Sequence, residues 1–284
     1  MSAHTVRRRT GVVSTSALLL VAVLASVRQT GSAVLNAQAA SQLASEVIQN
    51  EIKAEIDNKN LWSYCEVTKH QGKELLLEYC QTEHGTIHRL LAVDGQPLSG
   101  EQRQAEDQRI QKLIHSPDAL QASQNKESSD AREERRFLKL FPDAFLYQEE
   151  GRHGELVKLR FTPNPNFHPS GSEQHVLHAL TGTMVVDVNQ KRLASIDGRL
   201  MTEVKFWGGL LGHLDQGGTF SVVLENVSPG DWELKSLKVE MDGKALFFKT
   251  IAVREQQTYF DYLPVPPGTT LEQAAERLRK DANG

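Results

Sequence analysis

From residue 182 to residue 254 the chain reads as strand-length segments rich in β-branched and aromatic residues, broken by hairpin-length punctuation. This succession constrains the fold more than any other feature. The segments are 182–188, 192–200, 203–206, 219–227, 232–241 and 246–254, and the expected turns are Asn189-Gln190, Asp197-Gly198, Gln216-Gly217-Gly218, Pro229-Gly230-Asp231 and Asp242-Gly243. Turns this short join antiparallel neighbours, because a parallel pair needs a crossover of roughly a dozen residues.

The first half of the chain supplies the helices. Residues 36–57 place Leu43, Val47, Ile48 and Ile52 at spacings of three and four, with no Pro or Gly, which predicts an amphipathic helix. A meander over 61–69, 74–82 and 86–93 follows, punctuated by Gln71-Gly72 and His84-Gly85. Ser99 with Gln102 three residues on is a capping box that opens a charged helix to His115, and Pro117 starts a second helical stretch, with a break expected over 121–129. The charge run at 128–136 reads as a solvated helix face. A turn from Gly151 to Gly154 separates two more strands, and the prolines of 162–169 make that segment an irregular loop. Ser170 with Glu173, and Thr269 with Glu272, predict two further capped helices. Helices segregated from a run of hairpin-connected strands define an α+β fold.

The N-terminus reads as an export signal. Arg7, Arg8 and Arg9 precede an uncharged stretch over 11–27, and Gly31-Ser32-Ala33 is a small-x-small triplet suited to cleavage after Ala33, with Ala37, Ala39 and Ala40 as competing sites. An uncleaved anchor is the alternative, since the stretch is close to the roughly 20 residues that span a bilayer. The expected organisation is therefore a signal peptide over 1–33, an N-terminal helix, meander and helical insertion over 34–140, and an antiparallel sheet over 141–284. Removing 1–33 takes four arginines and no acid from 32 basic and 36 acidic residues, leaving a formal charge of −8. A surface this acidic excludes nucleic acid and electrostatic docking on anionic lipid.

Cys65 and Cys80 are an even pair in a chain bound for an oxidising compartment. If Gly72 and Lys73 form a two-residue loop, the two cysteines fall opposite each other and a cross-strand disulfide becomes feasible. Two reduced thiols are the alternative; the spacing is not that of a redox C-x-x-C motif.

Gly182-Thr-Met-Val-Val-Asp187, Lys191-Arg-Leu193 and Ile196-Asp-Gly198 are similar to the hairpin of the periplasmic lipoprotein-carrier superfamily, which includes the LolA-like and RseB-like proteins. The stretch from Phe161-Thr-Pro-Asn-Pro-Asn-Phe167 to Lys249 also resembles a set of exported acidobacterial proteins. The resemblance implies a strongly curved antiparallel sheet, an open half-barrel covered by helices, whose concave face holds a lipid or lipoprotein acyl chain.

Candidate site residues fall in two places. Trp207, Leu210 and Leu211, within a glycine-rich segment that matches no phosphate-binding loop, are candidates for an apolar lip on a ligand cavity. His175 and His178 share a helix face, with His168, His213 and Asp215 elsewhere, but no recognised metal-ligand spacing connects them. No nucleophile motif is present. The reading is a non-enzymatic periplasmic or secreted protein, without a cofactor, that binds an acyl chain; an envelope sensor or assembly module that recognises a protein is the alternative, and a hydrolase the third. Mass analysis of the protein recovered from the cell envelope is expected to find Val34 as the first residue.

Overall fold

The computed structural model describes residues 15–70, 72–206, 212–245 and 249–282. Helix α1 (Thr15–Asp57) leads into β1 (Trp62–His70), β2 (Lys73–Thr82), β3 (Gly85–Val93) and the short β4 (Gln96–Pro97). Two helices follow, α2 (Gly100–Ile114) and α3 (Pro117–Leu138), and then α4 (Phe141–Ala144), β5 (Phe145–His153), β6 (Leu156–Pro163) and α5 (Ser172–Ala179). The remainder is β7 (Leu180–Asp187), β8 (Arg192–Leu200), β9 (Val204–Phe206), β10 (Gly212–Leu214), β11 (Thr219–Ser228), β12 (Asp231–Ala245), β13 (Lys249–Pro264) and α6 (Leu271–Asp281). The fold is α+β, as expected. Among the described residues thirteen antiparallel strands form one open sheet in the order β4-β3-β2-β1-β13-β12-β11-β8-β7-β6-β5, with β9 and β10 as a side hairpin on β12.

The order of that path is set by β13, which pairs with β12 on one side and β1 on the other and so continues the sheet across the expected division at residue 140. The main core lies on one face of the β5 to β11 half. There Val47 and Ile48 of α1, with Leu43 and Ile52 at its margin, pack on Phe145, Leu159, Phe161 and Met184. Polar clamps reinforce the packing: Arg192 makes a two-pronged pair with Glu51, Nε–Oε1 2.8 Å and Nη2–Oε2 3.0 Å, and Lys191 pairs with Glu46. The Lys191-Arg-Leu193 segment thus fixes α1 against the sheet. On the opposite face of the β2–β3 end, α6 and α2 enclose a second core around Ile87, Ile110 and Leu278. The outer edge of β3 is covered as well, since Glu106 accepts from Leu90 N at 2.9 Å and Arg109 donates to His88 O at 2.6 Å.

Two expected turns are corrected. Asp197-Gly198 lies inside β8 and Asp242-Gly243 inside β12, because both sites are paired in the ladder rather than free to reverse the chain. Their glycines serve close approach instead. Gly182 and Gly198 face each other across β7 and β8, flanked by Phe161 on β6 and Phe220 on β11. The two rings lie over the glycines: a Cβ on Gly198 would stand 2.1 Å from the Phe220 ring, and one on Gly182 would stand 1.9 Å from the Asp197 carbonyl oxygen. At Gly243 a Cβ would meet the His213 carbonyl of β10 at 2.2 Å.

Smaller corrections have local causes. The break expected at 121–129 is absent and α3 runs through it: Ser116 caps its start, and the segment has neither Gly nor Pro. The last helix is capped by Thr270 and Gln273, one residue later than expected, and α5 starts at Ser172 without a side-chain cap. The turn near Gly151 falls later, at Gly154, because β5 bulges between Glu149 and Gly151 and continues to His153.

Gly198→Ala is expected to destabilise the fold by about 1–3 kcal/mol in urea denaturation. Phe220→Leu in the same background should recover part of that loss by withdrawing the ring. Gly182→Ala, whose Cβ meets backbone, has no comparable rescue.

Candidate functional site

The β13–β1–β2 part of the sheet presents a different surface on the face that carries α1. Alternation along β1 points Tyr64, Glu66 and Thr68 to this side, and the register brings Tyr79 of β2 directly opposite Tyr64. The two rings stack at 5.0 Å between centroids, and Tyr259 and Tyr262 of β13 join them at 5.9 and 5.2 Å. Burial pushes all four phenols above their ordinary pKa, so they remain protonated. Glu66 lies among them, 5 % exposed, and desolvation raises its pKa even though the hydroxyls of Tyr79 and Thr68 draw it down. Tyr259 donates to Gln257 Oε1 at 2.8 Å, and Gln257 Nε2 donates to Glu255 at 3.0 Å, which fixes a polar row along β13.

Helix α3 roofs this floor, leaving a groove of about 1340 Å³ bounded by Leu75 and Leu77 on one side and Glu127, Ala131 and Glu134 on the other. None of the 22 residues of α3 is buried; the helix is held at its ends, by Leu120 on one core and by Phe137 and Leu138 on the other, and its middle spans the groove. Glu127 and Glu134 are exposed to the water of the groove yet ringed by protein, and the loss of bulk solvation raises both pKa values; the Glu55 charge adds to the effect at Glu134. They stand two turns apart on one helix face, roughly 10 Å at 1.5 Å per residue.

At Glu134 the groove meets a second pocket of about 390 Å³ formed by the end of α1, α3 and β12. Trp62 and Glu233 line it. Burial, with the Asp231 charge behind it, holds the Glu233 pKa up at about 7, while the Trp62 indole pulls it back slightly. The approach of the buried Trp62 N–H to Glu233 falls short of a full hydrogen bond, and Trp62 is only 5 % exposed. Such an arrangement can receive a ligand that supplies charge and a hydrogen-bond partner at one end and lies against aromatic faces along its length.

The sequence pointed elsewhere for a site. Trp207, Leu210 and Leu211, the candidate lip, lie outside the described residues. His175 and His178 both belong to α5, where His175 Nδ1 lies 2.9 Å from Gly171 O, the carbonyl that also accepts from its own backbone N–H. The structure instead brings His213 to Asp215 at 3.2 Å and to Glu203 at 3.9 Å on the β9–β10 hairpin, and Lys205 also approaches Glu203 at 3.3 Å, so an ammonium already serves that cluster. The expected Cys65–Cys80 register is corrected. The turn closes between His70 and Lys73, with Gly72 at φ +80°, so Cys65 faces Glu78, Cys80 faces Ser63, and no disulfide joins the cysteines. They stand on a diagonal, where cross-strand Cβ atoms are roughly 7 Å apart against about 4 Å in a disulfide.

No protein-family model, curated protein or solved structure matches the chain. The groove residues escaped sequence analysis because they come from three strands and a helix far apart in the chain; the available signal was the repetition of Tyr259 and Tyr262 just past the expected end of the last strand. Among the described residues no helix is long and apolar enough to cross a membrane.

The raised pKa of Glu233 has a measurable consequence. A carboxyl that binds its proton more tightly folded than unfolded contributes stability that is fully present below about pH 4.5 and is lost as pH rises through about 7. Wild type should therefore lose on the order of 1–2 kcal/mol across that window relative to Glu233→Gln. Urea denaturation at pH 5 and pH 8 checks this: the variant should be the more stable of the two at pH 8.

Proposed function

We propose that the sheet is curved as an open half-barrel and that the protein is an exported, non-enzymatic carrier that holds an elongated ligand in the groove beneath α3. The single observation that carries this reading is the roof. A 22-residue helix crosses about 1340 Å³ of groove and buries none of its own residues, so an occupant would complete its packing. The tyrosine floor supplies faces for methylene or ring contacts, and Glu66, Glu134 and Glu233 give the site polar anchors along its length. An acyl chain, the ligand implied by resemblance to the lipoprotein carriers, would lie along Leu75, Leu77 and Val253, at the cost of desolvating the carboxylates on the α3 wall.

Native mass spectrometry of protein purified from its natural source is expected to show a non-covalent mass on the folded chain. Ala131→Trp, which fills the groove from the α3 side, should remove that mass while leaving the unfolding midpoint in urea close to that of wild type. Repeatedly bare protein, together with failure to bind either a fluorescent fatty-acid probe or an amphiphilic amine, would sink the carrier reading and favour an envelope module that recognises protein.

A further inference from the structure

We propose that the groove's ligand is a linear aliphatic polycation, a di- or triamine whose methylenes lie on the tyrosine floor and whose ammonium groups meet Glu66, Glu127, Glu134 and Glu233. This rests on the carrier reading and names the ligand class.

Charge is the first ground. The cations that line the groove and its end pocket are paired with other carboxylates: Lys69 with Glu74 and Arg254 with Asp242 in the groove, Arg135 with Glu55 and Arg192 with Glu51 in the pocket. Glu66, Glu127 and Glu134 are left without an ion pair among the described residues, and Glu255 is held only by the Gln257 amide. A buried carboxylate such as Glu66, kept from water and from a counter-charge, is stabilised by whatever brings one.

Chemistry of the floor is the second. Tyr64, Tyr79 and Tyr259 offer π-faces and ring edges that attract alkylammonium groups and accept methylenes. Backbone hydrogen bonding there is already satisfied, because β1 is paired on both sides, by β2 and by β13. An extended peptide would find no free N–H or C=O, whereas an amine chain needs none. The spacing also favours a long ligand: Glu127 and Glu134 are roughly 10 Å apart on α3, and Glu233 lies further on, in the pocket that Glu134 shares.

The end pocket is the third, independent ground. Trp62 Nε1 is buried and approaches Glu233 without completing a hydrogen bond to it. An ammonium arriving there ionises Glu233, whose proton leaves to solvent, and the carboxylate formed can accept from the indole with one oxygen while holding the cation with the other.

Isothermal titration of the folded mature chain with spermidine should give saturable binding that weakens with added salt. Glu127→Gln with Glu134→Gln should weaken it by roughly tenfold or more, whereas Glu272→Gln with Glu276→Gln on α6, an equal charge change far from the groove, should leave it unchanged. No saturable heat, or equal losses in both variants, overturns the polycation. Trilysine binding more than about tenfold tighter than spermidine also overturns it, in favour of a basic peptide. A lipid found on the purified protein together with no spermidine binding defeats this inference and leaves the carrier reading standing. Neither ligand binding defeats both.

Discussion

Pairing of β13 on both edges is the interaction on which the rest of this structure depends. Sixteen residues of β13 run beside β12 for their first part and beside β1 for their last, so the N-terminal meander and the C-terminal run of hairpins become one sheet. Such a contact joins the ends of the chain and brings no local reward until its long loop has closed. Once made, it fixes the position of β1 and β2, of the helices α2 and α6 that pack on their far face, and of the groove that α3 roofs. The bulge between Ser63 and Cys65 in the β1–β13 register then sets how Tyr259 and Tyr262 meet Tyr64.

The two halves of the sheet use the same face in opposite ways. Beneath α1 it is closed with Phe145, Phe161, Leu159 and Met184, all of them buried. Beneath α3 it is aromatic and acidic, and the helix above it stays in contact with water. The contrast comes from the helices more than from the strands. Helix α1 brings Val47 and Ile48 to the sheet, while α3 turns Glu127 and Glu134 toward it. One amphipathic stripe fills its side of the sheet; the other keeps its side open and charged.

Much of the fold was legible in local pattern. The helix ending at Asp57, which starts at Thr15 and not at the expected residue 36, the capping box at Ser99, the meander strands and the turns at Asn189-Gln190 and Pro229-Gly230 all follow from periodicity and turn chemistry. The errors share a cause. Gly198 and Gly243 looked like turn residues, but neighbouring strands pair across both, and the missing Cβ makes room for a phenylalanine ring or a crossing backbone. Cys65 and Cys80 were misaligned because a change of one residue in the turn moves every cross-strand partner by two. The candidate site was not legible: Tyr64, Tyr79 and Tyr259 carry no motif, and their meaning as a floor exists only after three strands have come into register.

By itself, then, the sequence determined the α+β class, the antiparallel pairing of neighbours and the acidic character of the chain, because each depends on spacing and composition along a single stretch. Tertiary structure alone decided the strand order through β13, the register that separates the cysteines, and the meeting of Trp62, Glu66 and Glu233 with the tyrosines beneath α3. Those depend on contacts between residues up to about two hundred positions apart, which local propensity does not encode and burial and hydrogen bonding select only in the folded chain.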